Sequence, residues 1–171
     1  MLAGPGELSG MSSGTDRALA IARHLLLGGT VGGVRFGALP QLLIHDTRPE
    51  VRGQVYINLQ SRWALFRSRP TNEPATEEDL PELHAEEEVL QILHLSNHRI
   101  ERVDFGATAP HLILSLERGL VLFVWGGNER YETWQVGVAF GEPGTRWEVI
   151  CLPGNGLAAW ASEGFRVPDA G

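Results

Sequence analysis

Two stretches, Val31-Gly-Gly-Val-Arg-Phe-Gly-Ala38 and Ile100-Glu-Arg-Val-Asp-Phe-Gly-Ala107, lie 69 residues apart and share the same apolar positions. Each is followed within a few residues by a proline, Pro40 or Pro110, and then by a second apolar run. Internal similarity at a fixed spacing is typical of a duplicated structural unit. The sequence therefore predicts two tandem copies of one unit.

A helix is predicted at the start of each copy. In the first copy the helix covers Arg17–Leu27 and ends at Gly28-Gly29, since glycine favours the end of a helix. In the second copy Thr76-Glu-Glu-Asp79 has the form of a capping box, so the helix begins there or after Pro81 and runs to about Leu95.

Strands are predicted after each helix, because short runs of alternating apolar and polar residues are separated by turn residues. Trp125-Gly-Gly-Asn128 is typical of a hairpin turn between the seventh and eighth runs, and two further runs form an extra C-terminal hairpin. The ten predicted strands are 31–36, 41–46, 54–59, 62–67, 99–105, 111–116, 120–125, 131–140, 147–152 and 157–160.

These elements predict an α+β fold dominated by β-structure. Two tandem helix-plus-four-strand-meander repeats would form an antiparallel sandwich or open barrel with the helices on one side. The predicted organisation is a disordered N-terminal tail (1–14), repeat unit 1 (15–67), a linker (68–81), repeat unit 2 with its extra hairpin (82–162) and a loose tail (163–171).

Length and composition exclude several classes of protein. A chain of 171 residues can bury a sufficient core without a disulfide, and its single cysteine, Cys151, excludes an intramolecular one. There is no lysine, so Schiff-base and P-loop lysine chemistry are excluded. No apolar run approaches the roughly 18 residues of a membrane helix. The N-terminus lacks the pattern of a secretory signal, whether translation starts at Met1 or Met11, so we expect a cytoplasmic protein.

Negative charge is concentrated in one stretch of the chain. The net charge is −7, and eight acids with no intervening arginine lie between residues 73 and 88. Removing those eight charges would leave +1 for the rest of the chain, whose arginines are dispersed, so we expect no nucleic-acid binding. The eight acids are Glu73, Glu77, Glu78, Asp79, Glu82, Glu86, Glu87 and Glu88.

No group of residues has the pattern of a catalytic, cofactor or metal site. His94 and His98 have the spacing of two ligands on one helix face, but Ser96-Asn97 between them is expected to break the helix. Cys151 lies in an apolar strand pattern and is predicted to be a core residue. Glu129 and Glu132 are interpreted as the charged edge of a hairpin. We therefore assign no catalytic residue, cofactor or metal.

Two motifs carry a resemblance to known proteins. They are Leu26-x-Gly28-x-x-Val31-x-x-Val34-x-Phe36-Gly37 and the ending Tyr131-Glu-Thr-Trp134 with Pro153-Gly-Asn-Gly156-Leu-Ala-Ala-Trp160. Together they resemble small β-rich bacterial proteins of uncharacterised families, some of which are similar to immunity proteins of contact-dependent or polymorphic toxin systems. The resemblance covers most of residues 26–160. Its motifs are turns and core positions, so it implies protein binding without identifying a functional residue.

Three functions are compatible with the sequence. The first is a non-enzymatic cytoplasmic binding protein, an immunity protein that occludes a cognate toxin, with the acidic residues 73–88 as the docking surface for a basic partner. The second is a small-ligand-binding protein or enzyme with a cleft between the two repeats and His94, His98 or Glu132 near it. The third is a homodimer formed through sheet edges.

Overall fold

The computed structural model describes the backbone of residues 10–168 and the side chains of residues 14–168. Every predicted strand is present, with both ends within three residues of the predicted bounds, so the fold is α+β and dominated by β-structure. The elements are α1 (Gly10–Leu26), β1 (Thr30–Arg35), β2 (Gln41–His45), β3 (Gln54–Leu59), β4 (Trp63–Phe66), α2 (Ala85–Leu95), β5 (Ile100–Phe105), β6 (Leu112–Leu116), β7 (Val121–Val124), β8 (Trp134–Ala139), β9 (Glu148–Leu152) and β10 (Gly156–Trp160).

The strands form two antiparallel sheets. The large sheet has the order β1-β2-β3-β8-β9-β10, and the small sheet has the order β4-β7-β6-β5. The prediction that each copy is a four-strand meander is wrong in one respect, because β4 pairs with β7 and β8 pairs with β3. Each fourth strand thus joins the three strands of the other copy. Alternation along one strand specifies its buried face but not its partner, which explains the difference.

The β3–β4 and β7–β8 connections, which carry the chain from one sheet to the other, run side by side. The amide of Trp125 donates to the carbonyl of Arg62 (3.0 Å). The hydroxyl of Ser61 lies within hydrogen-bond distance of two carbonyl oxygens, those of Trp125 (2.6 Å) and Thr133 (3.0 Å). The two connections therefore form one hydrogen-bonded junction, which we call the crossover.

Trp125-Gly-Gly-Asn128 is not the predicted hairpin turn, since the strands on either side of it lie in different sheets. Glycine is required at Gly126 for another reason. A Cβ atom there would collide with the backbone carbonyl of Pro110, and the Gly126 amide donates to Nδ1 of His111 (2.9 Å). The glycine thus allows two backbone segments to approach closely.

The first residues of β1 and β5 join the edges of the two sheets. Four backbone hydrogen bonds connect the two edges, and they form two pairs. Within each pair the two donor residues are 69 apart in the sequence, and so are the two acceptor residues. The first pair is Val31 N to His98 O (3.0 Å) with Ile100 N to Gly29 O (2.8 Å), and the second is Asn97 N to Val31 O (2.8 Å) with Gly28 N to Ile100 O (2.9 Å). A β-bulge follows at Val31/Gly33 in one strand and at Ile100/Arg102 in the other.

The larger of two apolar clusters in the described residues lies between the sheets and beneath α1. It includes residues from both halves of the sequence, such as Val55 and Leu114, so the halves share one core. A smaller cluster lies on the other face of the small sheet, where Leu80 packs with Phe123. The segment 68–81, predicted to be a linker, thus places Leu80 against the small sheet.

The helix α1 begins at Gly10, inside the segment predicted to be a disordered tail, and residues 1–9 lie outside the described range. No proline interrupts the chain between Gly10 and the predicted helix start, which permits the longer helix. At the other end of the chain, the ring of Phe165 packs against His24 of α1, with 5.2 Å between ring centroids. The predicted loose tail is therefore held to α1 at Phe165, and residues 169–171 lie outside the described range.

The helix α2 begins at Ala85 and ends at Leu95, where its end was predicted. The capping box Thr76–Asp79 caps only a single 3-10 turn, because Pro81 disfavours a helical conformation at Leu80. Neither helix within the described range has the length and hydropathy needed to cross a membrane.

Asp104 is a buried charge that connects three parts of the fold. Its carboxylate pairs with Arg23 of α1 (3.2 Å), Arg69 of the 68–81 segment (2.9 Å) and Arg102 of β5 (2.6 Å). Burial favours a higher pKa for Asp104, but hydrogen bonds from Arg69 and Arg102 and their positive charges outweigh burial and leave the pKa below its ordinary value. Ionised Asp104 therefore stabilises the folded state.

We expect Asp104→Asn to lower the free energy of unfolding by about 1–2 kcal/mol at neutral pH, a modest value because the arginines are partly solvated. Since the folded-state pKa is lowered, this stabilisation is complete above about pH 4 and is lost as the pH falls through the folded-state value. Urea unfolding at several pH values measures the difference in the free energy of unfolding between Asp104→Asn and the wild type. Glu101→Gln, an exposed change on the same strand, is the control, and an equal effect of both changes would contradict this role.

We expect Gly126→Ala to lower the free energy of unfolding by about 3 kcal/mol, because the added methyl group meets a backbone carbonyl that has no room to move. Gly14→Ala is the matched change. Its Cβ meets no described atom within 4 Å, and alanine in a helix is favoured over glycine by up to about 1 kcal/mol, so this variant should gain stability. Thermal unfolding of both proteins distinguishes the two sites, and a stable Gly126→Ala protein would refute the close approach.

Candidate partner-binding surface

Five of the eight acids in the predicted docking segment form hydrogen bonds or ion pairs within the protein. Asp79 accepts from the amide of Thr76 (2.9 Å), and this bond is the first cause of its lowered pKa. Glu87 accepts from the amide of His84 (3.0 Å), where it completes the N-terminal cap of α2. These carboxylates are structural, because they satisfy backbone amides that the short helices leave without partners.

The carboxylate of Glu73 binds the loop after β5. Its carboxylate accepts from the backbone amide of Ala107 (2.8 Å) and from the hydroxyl of Thr108 (3.2 Å). This contact holds the 68–81 segment to the edge of the small sheet. Glu73 therefore lies apart from the acids closer to α2.

Glu77 connects the acidic segment to the crossover. Its carboxylate accepts from the amide of Arg62 (3.1 Å), from the side-chain amide of Asn128 (3.3 Å) and from the hydroxyl of Tyr131 (3.0 Å). Partial burial raises the pKa of Tyr131, and the hydrogen bond to Glu77 and its charge add to the increase. Glu82 lies 3.5 Å from the Arg62 guanidinium.

The remaining three acids, Glu78, Glu86 and Glu88, have no hydrogen-bond or ion-pair partner among the described side chains. Glu78 and Glu86 are exposed, and Glu88 is half-buried. These carboxylates are available to a partner without loss of an internal contact. The structure thus separates the acidic run into a structural part and a free part.

A groove lies between the acidic segment and the crossover, and we call it the acidic groove. Its volume is about 280 Å³. Three acids contribute to it, together with two exposed apolar side chains from distant parts of the chain, Leu39 and Tyr131. The lining residues on which the argument depends are Leu39, Trp63, Glu77, Glu82, Glu88 and Tyr131.

The helix α2, which carries Glu86 and Glu88, also presents an apolar strip. Val89, Leu90 and Leu93 are exposed, the last two by 56% and 62%, whereas only Ile92 and Leu95 of this helix are buried. A soluble helix normally directs its large apolar residues to the core. An exposed apolar strip next to unpaired carboxylates is typical of an interaction surface.

The alternative site residues of the second hypothesis are divided between two places. His94 and His98 line a groove between β4 and α2, whereas Glu132 does not contribute to it. Within the described residues, no three His, Cys, Asp or Glu side chains are arranged to hold a metal ion. Glu129 and Glu132 lie in the β7–β8 connection and not on a strand, so the predicted charged hairpin edge is wrong.

Cys151 and His111 are fully buried at the same junction of the sheets. The Cys151 thiol donates to the Gly126 carbonyl (3.1 Å), and burial raises the pKa of this thiol to about 11. Burial also lowers the pKa of His111, whose Nδ1 accepts from the Gly126 amide (2.9 Å). The prediction that Cys151 is a core residue is confirmed, since its side chain is 0% exposed.

Sequence reasoning identified the acids of the groove but missed Leu39, Arg62 and Tyr131. These residues come together only because the crossover brings three distant segments into contact. No local pattern in the sequence marks them, since the exposure of Leu39 follows from the tertiary fold.

Comparisons with known proteins give no relative for this fold or site. No protein-family model matches the chain, and neither a curated protein nor a solved structure is significantly similar to it.

We expect Glu77→Ala to lower the free energy of unfolding by about 1–2 kcal/mol, because three donors lose their shared acceptor and two of them are partly buried. Glu78→Ala removes the neighbouring carboxylate, which has no internal partner, and should change stability by less than about 0.5 kcal/mol. Chemical denaturation of the two variants measures the difference. Equal stability would show that Glu77 is no more structural than Glu78.

Proposed function

We propose that this protein is a non-enzymatic binding protein that receives a basic protein partner on the acidic groove and the adjoining face of α2. The observation that carries the proposal is the combination of free acids with exposed apolar residues. Glu78, Glu86 and Glu88 have no partner among the described residues, and Leu90 and Leu93, which share α2 with Glu86 and Glu88, are more than half exposed. Charge complementarity accelerates and orients association, while apolar contact supplies affinity.

The role that fits such a surface is that of a cytoplasmic immunity protein that occludes a basic toxin. Occlusion requires a docking surface and no catalytic group. The resemblance of residues 26–160 to immunity-like β-rich proteins supports this role, as does the burial of Cys151 and His111, which keeps both groups away from any substrate.

We also infer that the chain derives from a duplicated unit. The spacing of 69 residues between the two similar stretches supports this inference, together with the reciprocal hydrogen bonds at Val31 and Ile100 and the two equivalent bulges. Trp63 and Trp134 add to it, because both are buried at the start of a fourth strand that enters the opposite sheet.

The partner-binding proposal predicts that the triple variant E78R/E86R/E88R no longer binds the partner. Affinity capture from the native host with the tagged wild-type protein, read by mass spectrometry, identifies a stoichiometric basic protein, and calorimetry then measures its affinity for each variant. We expect at least a hundredfold loss, since three attractive contacts become repulsive. Production of the captured protein in a heterologous bacterial host should arrest growth, and co-production of the wild-type chain should restore it.

The matched control is E50R/E101R/E163R, which makes the same change in net charge at exposed positions outside the segment. This control should keep the wild-type affinity. Equal weakening by both triple variants would indicate a non-specific effect of net charge, and unchanged affinity of E78R/E86R/E88R would exclude the acidic surface as the docking site. Thermal unfolding of both variants confirms that each is folded.

A further inference from the structure

A second groove is lined by residues from β4, α2 and the β6–β7 turn and by residues that follow β4 and α2, and we call it the basic groove. Its volume is about 560 Å³. Its walls come from both halves of the sequence, with Leu65 and Arg67 on the β4 side, His94 on α2, and Arg118 and Leu120 at the β6–β7 turn. His98, which follows α2, completes it. This volume lies within the range of small-molecule sites, about 300–1,000 Å³.

The charges of the basic groove are all of one sign. Its titratable residues are two arginines and two histidines, and no acid lines it. Seven of the fourteen arginines pair with carboxylates elsewhere in the described chain, but Arg67 and Arg118 have no such partner. Both arginines are exposed, and two guanidinium groups in a groove that no acid lines are a local excess of positive charge in a protein of net charge −7.

The backbone of Arg118 has an unusual conformation. Arg118 has a φ of 63°, in the left-handed region that favours glycine, and Gly119 after it has a φ of 78°. The amide of Leu116 donates to the carbonyl of Leu120 (2.7 Å) and closes this turn. A residue other than glycine costs about 1 kcal/mol in this conformation. An arginine held there at that cost is consistent with a role for its side chain.

The histidines add hydrogen-bonding groups. Nδ1 of His98 lies 3.1 Å from the carbonyl oxygen of Ser96 and donates to it, so in the neutral ring Nε2 is an acceptor that suits a donor group of a ligand and not a phosphate oxygen. Gln91 adds an amide, while Leu65 and Leu120 add apolar surface. A ligand with both an anionic and an organic part would contact both kinds of side chain.

We propose that the basic groove binds a phosphate-bearing small molecule of about nucleotide size. Guanidinium groups match phosphate oxygens through paired hydrogen bonds, and two of them suit a multiply charged anion better than a single carboxylate. The proposal goes beyond partner binding and does not depend on it, because the two grooves have no lining residue in common. The helix α2 contributes Glu88 to the acidic groove and Gln91 and His94 to the basic groove.

Isothermal titration calorimetry with pyrophosphate and with ATP tests the proposal on the full chain. We expect both probes to bind with a Kd below about 1 mM, ATP more tightly because its base and ribose reach the apolar wall. The double variant R67Q/R118Q should weaken both by at least about tenfold. R35Q/R130Q makes the same charge change at exposed arginines outside the groove and should bind as the wild type does.

A second measurement locates the ligand. The ring proton NMR signals of His94 and His98 should shift when pyrophosphate is added to the wild type, and at the same pyrophosphate concentration they should shift much less in R67Q/R118Q. The absence of binding by both probes would overturn the proposal. Equal losses in the two double variants, or shifts confined to the other histidines, would do the same. Loss of partner binding in E78R/E86R/E88R is a separate result, so the two proposals fail independently.

Discussion

The crossover is the constraint on which the rest of the structure depends. Because β4 and β8 each leave their own meander and pair in the opposite sheet, neither half can complete a sheet alone. The two connecting segments must then pass each other, and the Ser61 hydroxyl near the carbonyls of Trp125 and Thr133 fixes how they do so. Sheet pairing of this kind has a high contact order, so we expect folding to be slow for a chain of this length.

The candidate surface follows from the crossover. The turn after β3 and the loop before β8 are brought within reach of the 68–81 segment, where Glu77 connects them through Arg62 and Tyr131. Most of the acidic run is therefore explained by local structure, since it caps short helices and holds loops. Only the acids without such partners need another explanation. This distinction is what makes the docking proposal testable, because those acids can be changed without loss of an internal bond.

The sequence predicted the elements well and their assembly less well. All ten strands were located, since alternation and turn residues are local signals. The strands that pair with β3 and β4 were not predicted, because nothing near Leu59 or Trp63 specifies a strand some 70 residues away. Gly126 was correctly marked as special, but for the wrong reason, since the carbonyl it approaches belongs to Pro110. The acids were identified as a group, whereas the apolar half of the groove depends on tertiary contact and has no local signal.

The helix α2 separates charges of opposite sign, and part of that separation has a simple cause. Glu86, Glu87 and Glu88 occupy its first turn and His94 its last, the arrangement that the helix dipole favours in any protein. Stability alone therefore accounts for the distribution along the helix. It does not account for Arg67 and Arg118, which follow β4 and lie in the β6–β7 turn, in different halves of the chain, and line the same groove as His94. The positive charge of the basic groove is thus a property of the tertiary fold, and the proposed anionic ligand depends on it.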